Sequence, residues 1–364
     1  MMRNTPIAFA VCLLACGCGH EQPLRPGSYT PNVPPGSGSL VRLTFNPGAD
    51  VLPVWLPDGS GFLYTKERVD TAMRVKRRDR DRCLALLPPA GGTIVREICD
   101  RTPAADDSVN AYTSPAVALD GRLAYVRASA PLDAGWPLAP RYHELVVATL
   151  ADPWHARVLQ TLPYAGPSGR GHEEVAQLRW LADSVLVYIG QHVAYVGICP
   201  PCPPDTLPTG LEIVRLDYRG PVPILTMLPG SDQASSVVVV APDTLYFTVN
   251  GDSRVFSLAL STDSVGVVHD FGPGGIARDV QVAGSRMVAV VGGNVAFFVD
   301  PANGPTQRDD GGPLILVDRL NGTETPLGPV GFTFRHPALS PSGTSVVAEL
   351  VFGVTTDLWL VEVP

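Results

Sequence analysis

Cys199-Pro200-Pro201-Cys202 is the spacing in this 364-residue sequence that most invites chemistry. A C-x-x-C pair can act as a redox couple when a helix N-terminus or a nearby cation lowers the thiol pKa. This pair instead lies in the proline-rich run CPPCPPDTLP, which reads as a loop. It could supply half of a zinc site, but no second Cys or His pair follows at finger-like spacing. A disulfide pinning its own loop is the favoured reading. Cys83 and Cys99 flank the turn Pro88-Pro89-Ala90-Gly91-Gly92 symmetrically about residue 91. Antiparallel strands on either side would set the two opposite one another, with Cα atoms about 4.4–6.8 Å apart, the range a disulfide spans.

The remaining polar clusters match no reaction centre. His172-Glu173-Glu174 lacks the second His of a metalloprotease helix. Asp300 with Asn303, and Asp309-Asp310, do not follow a calcium-loop pattern. There is no G-x-S-x-G elbow, Walker loop or dinucleotide fingerprint. No catalytic residue, metal or cofactor is therefore assigned, although separate repeats could still assemble a metal or acid–base site. Arg74, Arg77 and Arg78 belong to the one dense charge run, RVKRRDRDR. They could hold an anionic partner, or form a solvated tip compensated by Asp79 and Asp81. Trp136, Tyr142, His143, His172, Glu173 and Glu174 could line a polar pocket, or be ordinary loop surface.

Composition says what kind of elements must carry these residues. Gly (36) and Pro (37) are scattered at short intervals, which argues against a helical bundle and for many short strands joined by turns. Hydrophobic residues make up 45 %, enough to build a core. The formal net charge of −8 argues against nucleic acid as a partner. Only Lys66 and Lys76 are lysines among 27 basic residues. That bias reads either as arginine forks for anions or as the codon habit of the source.

The N-terminus reads as an address. Met1-Met2-Arg3 precedes the apolar run 7–15, too short to span a bilayer but suited to a signal peptide. Leu13-Leu14-Ala15-Cys16 resembles the lipobox of bacterial lipoproteins. That resemblance implies cleavage before Cys16 and lipidation of Cys16, with residues 1–15 as the signal. Cys18 is a weaker alternative. Several acyl chains on one residue anchor firmly where a single chain is marginal. Residues 16–39 are rich in Pro, Gly and Ser and read as a flexible tether.

Internal repeats set the fold. Pro53-Val54-Trp55-Leu56-Pro57-Asp58-Gly59 reads as strand into tight turn, because Asp bonds its own backbone and Gly accepts positive φ. Related turns fall near residues 120, 183, 243, 284 and 342, each between two apolar runs. Third strands are expected at 83–87, 144–150, 211–216, 255–260, 314–320 and 357–363. Fourth strands are expected at 93–98, 156–162, 221–227, 265–269 and 323–327. The sixth unit reaches the end of the chain without one. Ser39-Leu40-Val41-Arg42-Leu43-Thr44-Phe45 alternates and can fill that place. The sequence thus predicts an all-β chain, a six-bladed β-propeller over residues 40–364, closed by an N-terminal strand pairing in the last blade. Two sandwiches side by side are the competing architecture.

The Pro-x-Trp-x-Pro-Asp-Gly turn and the closing Asp357-Leu358-Trp359-Leu360 resemble the WD40-like repeats of TolB-type propellers. The periplasmic member of that family carries an α/β domain ahead of its propeller. The stretch between Cys16 and Leu40 is too short for one, so that member's protein partner is not carried over. Related propellers precede hydrolase domains in some peptidases, and none is expected here.

In a blade, the second-to-third connection and the blade-to-blade connection leave on one face. The long segments 68–82, 129–143, 197–210, 300–313, 100–112 and 163–175 all fall in those places. Recognition is expected on that face, since binding residues favour loops on a rigid scaffold. The chain is therefore expected to be a lipid-anchored binding or scaffold propeller of the bacterial cell envelope, periplasmic or surface-exposed. It would be a monomer that touches the membrane through its anchor only. Its partner would be an envelope protein, a peptide or a glycan. The alternative is a metal-dependent hydrolase or lyase with a site near the central channel.

Overall fold

The computed structural model describes residues 40–45, 48–67, 82–99, 108–131, 142–161, 172–196, 205–292, 295–300, 304–309, 311–352 and 355–364. Every regular element among them is a β-strand, beginning with the short β1 (Val41–Arg42). The first blade holds β2 (Asp50–Trp55), β3 (Phe62–Glu67), β4 (Arg82–Leu87) and β5 (Arg96–Ile98). The second holds β6 (Ser108–Val117), β7 (Arg122–Pro131), β8 (Tyr142–Thr149) and β9 (Arg157–Thr161). The third is β10 (His172–Ala182), β11 (Val185–Val196), β12 (Asp205–Asp217) and β13 (Ile224–Met227). The fourth is β14 (Ala234–Ala241), β15 (Thr244–Val249), β16 (Arg254–Ala259) and β17 (Ser264–Asp270).

The fifth blade starts with β18 (Ala277–Ala283) and β19 (Arg286–Val291). It then inserts a separate hairpin, β20 (Val295–Asp300) and β21 (Gly304–Asp309), before β22 (Leu314–Asp318) and β23 (Glu324–Leu327). The sixth has three strands in chain order, β24 (Phe334–Leu339), β25 (Ser345–Phe352) and β26 (Thr355–Glu362). Its fourth place, the outer edge, is taken by β1, with Val41 opposite Leu360 and Arg42 opposite Trp359. The six-bladed propeller and its N-terminal closure are as the repeats predict. Beyond the ladder, Leu43 donates to the Leu358 carbonyl and Leu358 to Thr44 Oγ1. The Arg42 guanidinium meets Asp357 at 2.8 Å, with both side chains nearly buried.

Strands at the centre of each blade are apolar on both faces because each blade packs against two neighbours. Phe62-Leu63-Tyr64 shows the pattern, buried throughout. The buried residues fall into six clusters, one per seam between blades. Phe62, Tyr64 and Leu87 meet Val347 and Leu358 across the closing seam. Leu63 and Leu84 meet Leu123 and Tyr125 across the next one. Turn chemistry is as read: the Asp58 carboxylate accepts from Ser60 N–H at 3.0 Å, and Gly59 holds φ +72°.

The segment 300–313, expected as a plain second-to-third loop, contains half of the inserted hairpin instead. Val295-Ala296-Phe297-Phe298-Val299 is a strand-forming run, and its strand pairs antiparallel with Gly304–Asp309. The backbone of β20 lies beside that of β12, two blades away. It reaches there past the fourth blade, whose own connection, 250–253, is short.

Candidate functional site: the central channel

The first strand of each blade stands next to the first strand of the following blade, all the way round and across the closure from β24 to β2. These strands line the channel. Five of the six carry a bulge of one design, with a non-glycine residue at positive φ: Leu52 (55°), Ser114 (51°), Gln177 (53°), Asp279 (49°) and His336 (43°). The pairing register slips at each of these points. A bulge kinks a strand and re-aims a side chain. Holding an L-residue in this region costs on the order of 1–3 kcal/mol, so five such residues are a strained ring held by the packed blades around it. The fourth blade departs from the design and offers Ser236, whose hydroxyl bonds Thr248 and accepts from Val280 N–H.

The same five blades enclose a cleft with about 350 Å³ of empty space, counting what is open to solvent. Ser114, Gln177, Arg179, Gln281 and His336 supply its polar lining, and Leu52, Pro53 and Pro115 part of its apolar lining. Two polar chains meet there. In the first, Gln177 Nε2 donates to Asp279 Oδ1 at 2.9 Å, and Gln177 Oε1 accepts from Arg179 at 3.0 Å. Arg179 also donates to the Leu178 carbonyl at 2.8 Å. Loss of hydration pulls the Arg179 guanidinium down to about 10, while Asp279 pushes it up. In the second, buried Glu349 faces His336 Nδ1 at 2.7 Å and Arg335 at 3.2 Å, and accepts from Leu52 N–H at 2.8 Å. The His336 backbone N–H donates to Asp279 Oδ2 at 3.2 Å, joining the two chains. Burial would raise the Glu349 carboxyl, but His336, Arg335 and the Leu52 amide outweigh it, and its pKa lies below the ordinary value.

The residues singled out from the sequence fall elsewhere. Tyr142 and His143 are not in a loop: β8 begins with them, opposite Ser129 and Ala128. His172 and Glu173 likewise open β10, opposite Val193 and His192. These strands run past the ends of the apolar pattern because a ladder continues wherever two backbones can pair, whatever the side chains. Arg74, Arg77, Arg78, Trp136, Cys16, Cys199 and Cys202 lie outside the described residues. Cys83 and Cys99 are joined in a disulfide with Cα atoms 4.9 Å apart, extending the register in which Leu84 faces Ile98. Glu97 lies beside these sulfurs in the one group of three potential metal donors among the described residues, but both thiols are committed to the bond.

Sequence reading passed over the channel residues, since no motif marks them. The signal available is a position shared by five inner strands, five or six residues ahead of the turns near 58, 120, 183, 284 and 342 and occupied by Leu52, Ser114, Gln177, Asp279 and His336.

No protein-family model and no curated protein matches the chain. Similar solved structures include TolB from Acinetobacter baumannii, with TM-score 0.49 and 14 % identity over 84 % of this chain and 64 % of that one. The chain thus spans just under two thirds of that TolB's length. A gluconolactonase from Xanthomonas campestris gives TM-score 0.50 at 13 % identity over 89 % of each chain. An oligogalacturonate lyase in complex with manganese gives 0.45 at 14 %, over 90 % of this chain and 98 % of that one. At such identities the likeness is one of fold alone.

Proposed function

We propose that this protein is an extracytoplasmic binding propeller, lipid-anchored through Cys16, that holds a protein, peptide or glycan segment on the face carrying the long connections. The observation behind this reading is the β20–β21 hairpin. It is an insertion on that face that no blade needs for closure, and its backbone reaches β12. The opposite face keeps first-to-second turns as short as 183–184 and 284–285. Chain length invested on one rim of a rigid ring suits recognition.

The test is site-directed photocrosslinking in the native cell envelope. A crosslinker at Asn250, in the short second-to-third connection of the fourth blade on that face, is expected to capture a partner. One at Leu119, in an opposite-face turn, is expected to capture none. Capture from Leu119 alone would overturn the assignment of the face. Cys16→Ala should release the protein from membranes, and continued acyl labelling of that variant would sink the anchor.

A second reading, a metal-dependent hydrolase or lyase in the channel, has one observation in its favour. His336 lines the cleft with Nδ1 held by a buried carboxylate, an arrangement that acid–base and metal chemistry both use. It requires that His336→Gln abolish a hydrolytic or lyase activity while leaving the crosslinking pattern unchanged.

A further inference from the structure

A guanidinium carries five N–H donors and one charge that it cannot shed near neutral pH. Arg179 uses donors on the Leu178 carbonyl and the Gln177 amide oxygen, both neutral. Among the described residues no carboxylate comes within ion-pair distance of it. Asp279 is the carboxylate that acts on it at longer range, and the Gln177 side chain bridges the two. Asp279 is itself engaged by Gln177 and by the His336 amide. Other arginines without a carboxylate partner serve as staples. Arg96 forks the Leu150 and Ala151 carbonyls, and Arg286 forks those of Gly343 and Pro364. Arg179 instead lines an open cleft, in company with Ser114, Gln281 and His336. The backbone that aims this group is strained at Gln177, φ 53°.

We infer that the channel cleft is a carboxylate-binding site in which Arg179 takes the acid group of a ligand through its remaining N–H donors. A planar carboxylate matches the guanidinium fork, and the cation, already stripped of much of its water, loses little more on binding. Gln281, also in the lining, adds a neutral amide donor. The carboxylate can belong to a free small molecule or to a peptide terminus entering the cleft between the inner strands. The site lies in the channel between the inner strands, and its test does not depend on capture on the long-connection face.

The experiment is an NMR titration of the arginine Nε–H resonances of the full folded chain with acetate, with acetamide as the uncharged isostere. Acetate is expected to shift the Arg179 resonance saturably in the millimolar range, and acetamide to leave it in place. Arg179→Lys should weaken acetate binding by about tenfold or more, because an ammonium lacks the fork, and Arg179→Gln should abolish it. Equal shifts from acetate and acetamide, no saturable shift at Arg179, or unchanged acetate binding by a folded Arg179→Gln protein would each overturn the proposal. The acetate–acetamide contrast uses the wild-type chain, so it stands even if a variant fails to fold. Tetraalanine with a free carboxylate, compared with its C-terminal amide, separates the sources. About tenfold tighter binding than acetate, lost on amidation, identifies a chain terminus, and binding equal to acetate identifies a small acid.

Discussion

Glu349 holds the closing seam of the ring at one point, receiving Leu52 N–H from the first blade and facing His336 and Arg335 of the last. Its pKa lies below that of an ordinary glutamate. The stability it contributes is therefore complete above the unfolded-state pKa and is lost as pH falls through the lower folded value. Glu349→Gln keeps an oxygen for the Leu52 amide but removes the buried negative charge that faces Arg335 and His336, at a cost on the order of 3 kcal/mol at neutral pH. Urea midpoints measured against pH should fall more steeply on the acid side for the wild type than for the variant, and parallel curves would contradict the argument. Arginine also has a role here that composition did not suggest. Arg96 and Arg286 each fork two carbonyls of the next blade, and Arg319 spans from the Gly284 carbonyl to the Tyr246 hydroxyl. Lysine has no fork to do this, so at these positions the Arg-for-Lys bias builds the ring rather than binding anions.

At the scale of elements, the outer strand of the first blade is the short β5, tied to β4 by the Cys83–Cys99 bond. A loop of that length, separation 16, loses enough unfolded-state entropy to stabilise the fold by about 3 kcal/mol. The double variant Cys83→Ser/Cys99→Ser should melt several degrees lower, and reduced wild type should melt with it. Alkylation of both thiols in the native, unreduced protein would contradict the bond. This pairing was legible because register about a turn is arithmetic. The bulges were not, because an αL residue ahead of a proline leaves no mark in hydrophobic periodicity. Trp55 and Trp180 show the gap between seeing a motif and knowing its use. They occupy the same place in their blades, and each indole N–H donates to the corresponding carbonyl of the preceding blade, Ala338 and Ala116. The sequence displayed the tryptophan; only the packed ring supplies its acceptor.

At the scale of the molecule, closure depends on a two-residue ladder, a buried ion pair and a threonine hydroxyl. Removing residues 1–45 takes all three away and exposes the β26 edge, which can then pair with another chain. Sedimentation should show concentration-dependent self-association of the truncated protein and a monomeric parent. A truncated chain that stays monomeric with unchanged thermal stability would remove β1 from the closure.

The sequence alone determined the class of element, the count of blades and the strand that closes them. Each follows from local facts: apolar runs of strand length, Asp-Gly and Ser-Gly turns, and a missing fourth strand at the end of the last repeat. What only the tertiary structure decided is what the inner strands do together. Gln177, Arg179, Asp279, His336 and Glu349 come from three blades and up to 172 positions apart in the numbering, from 177 to 349. They meet because the ring brings those blades to one axis, with bulges re-aiming Gln177, Asp279 and His336 and with Glu349 contributed by the second strand β25, and no spacing along a chain encodes a meeting that depends on the ring having closed.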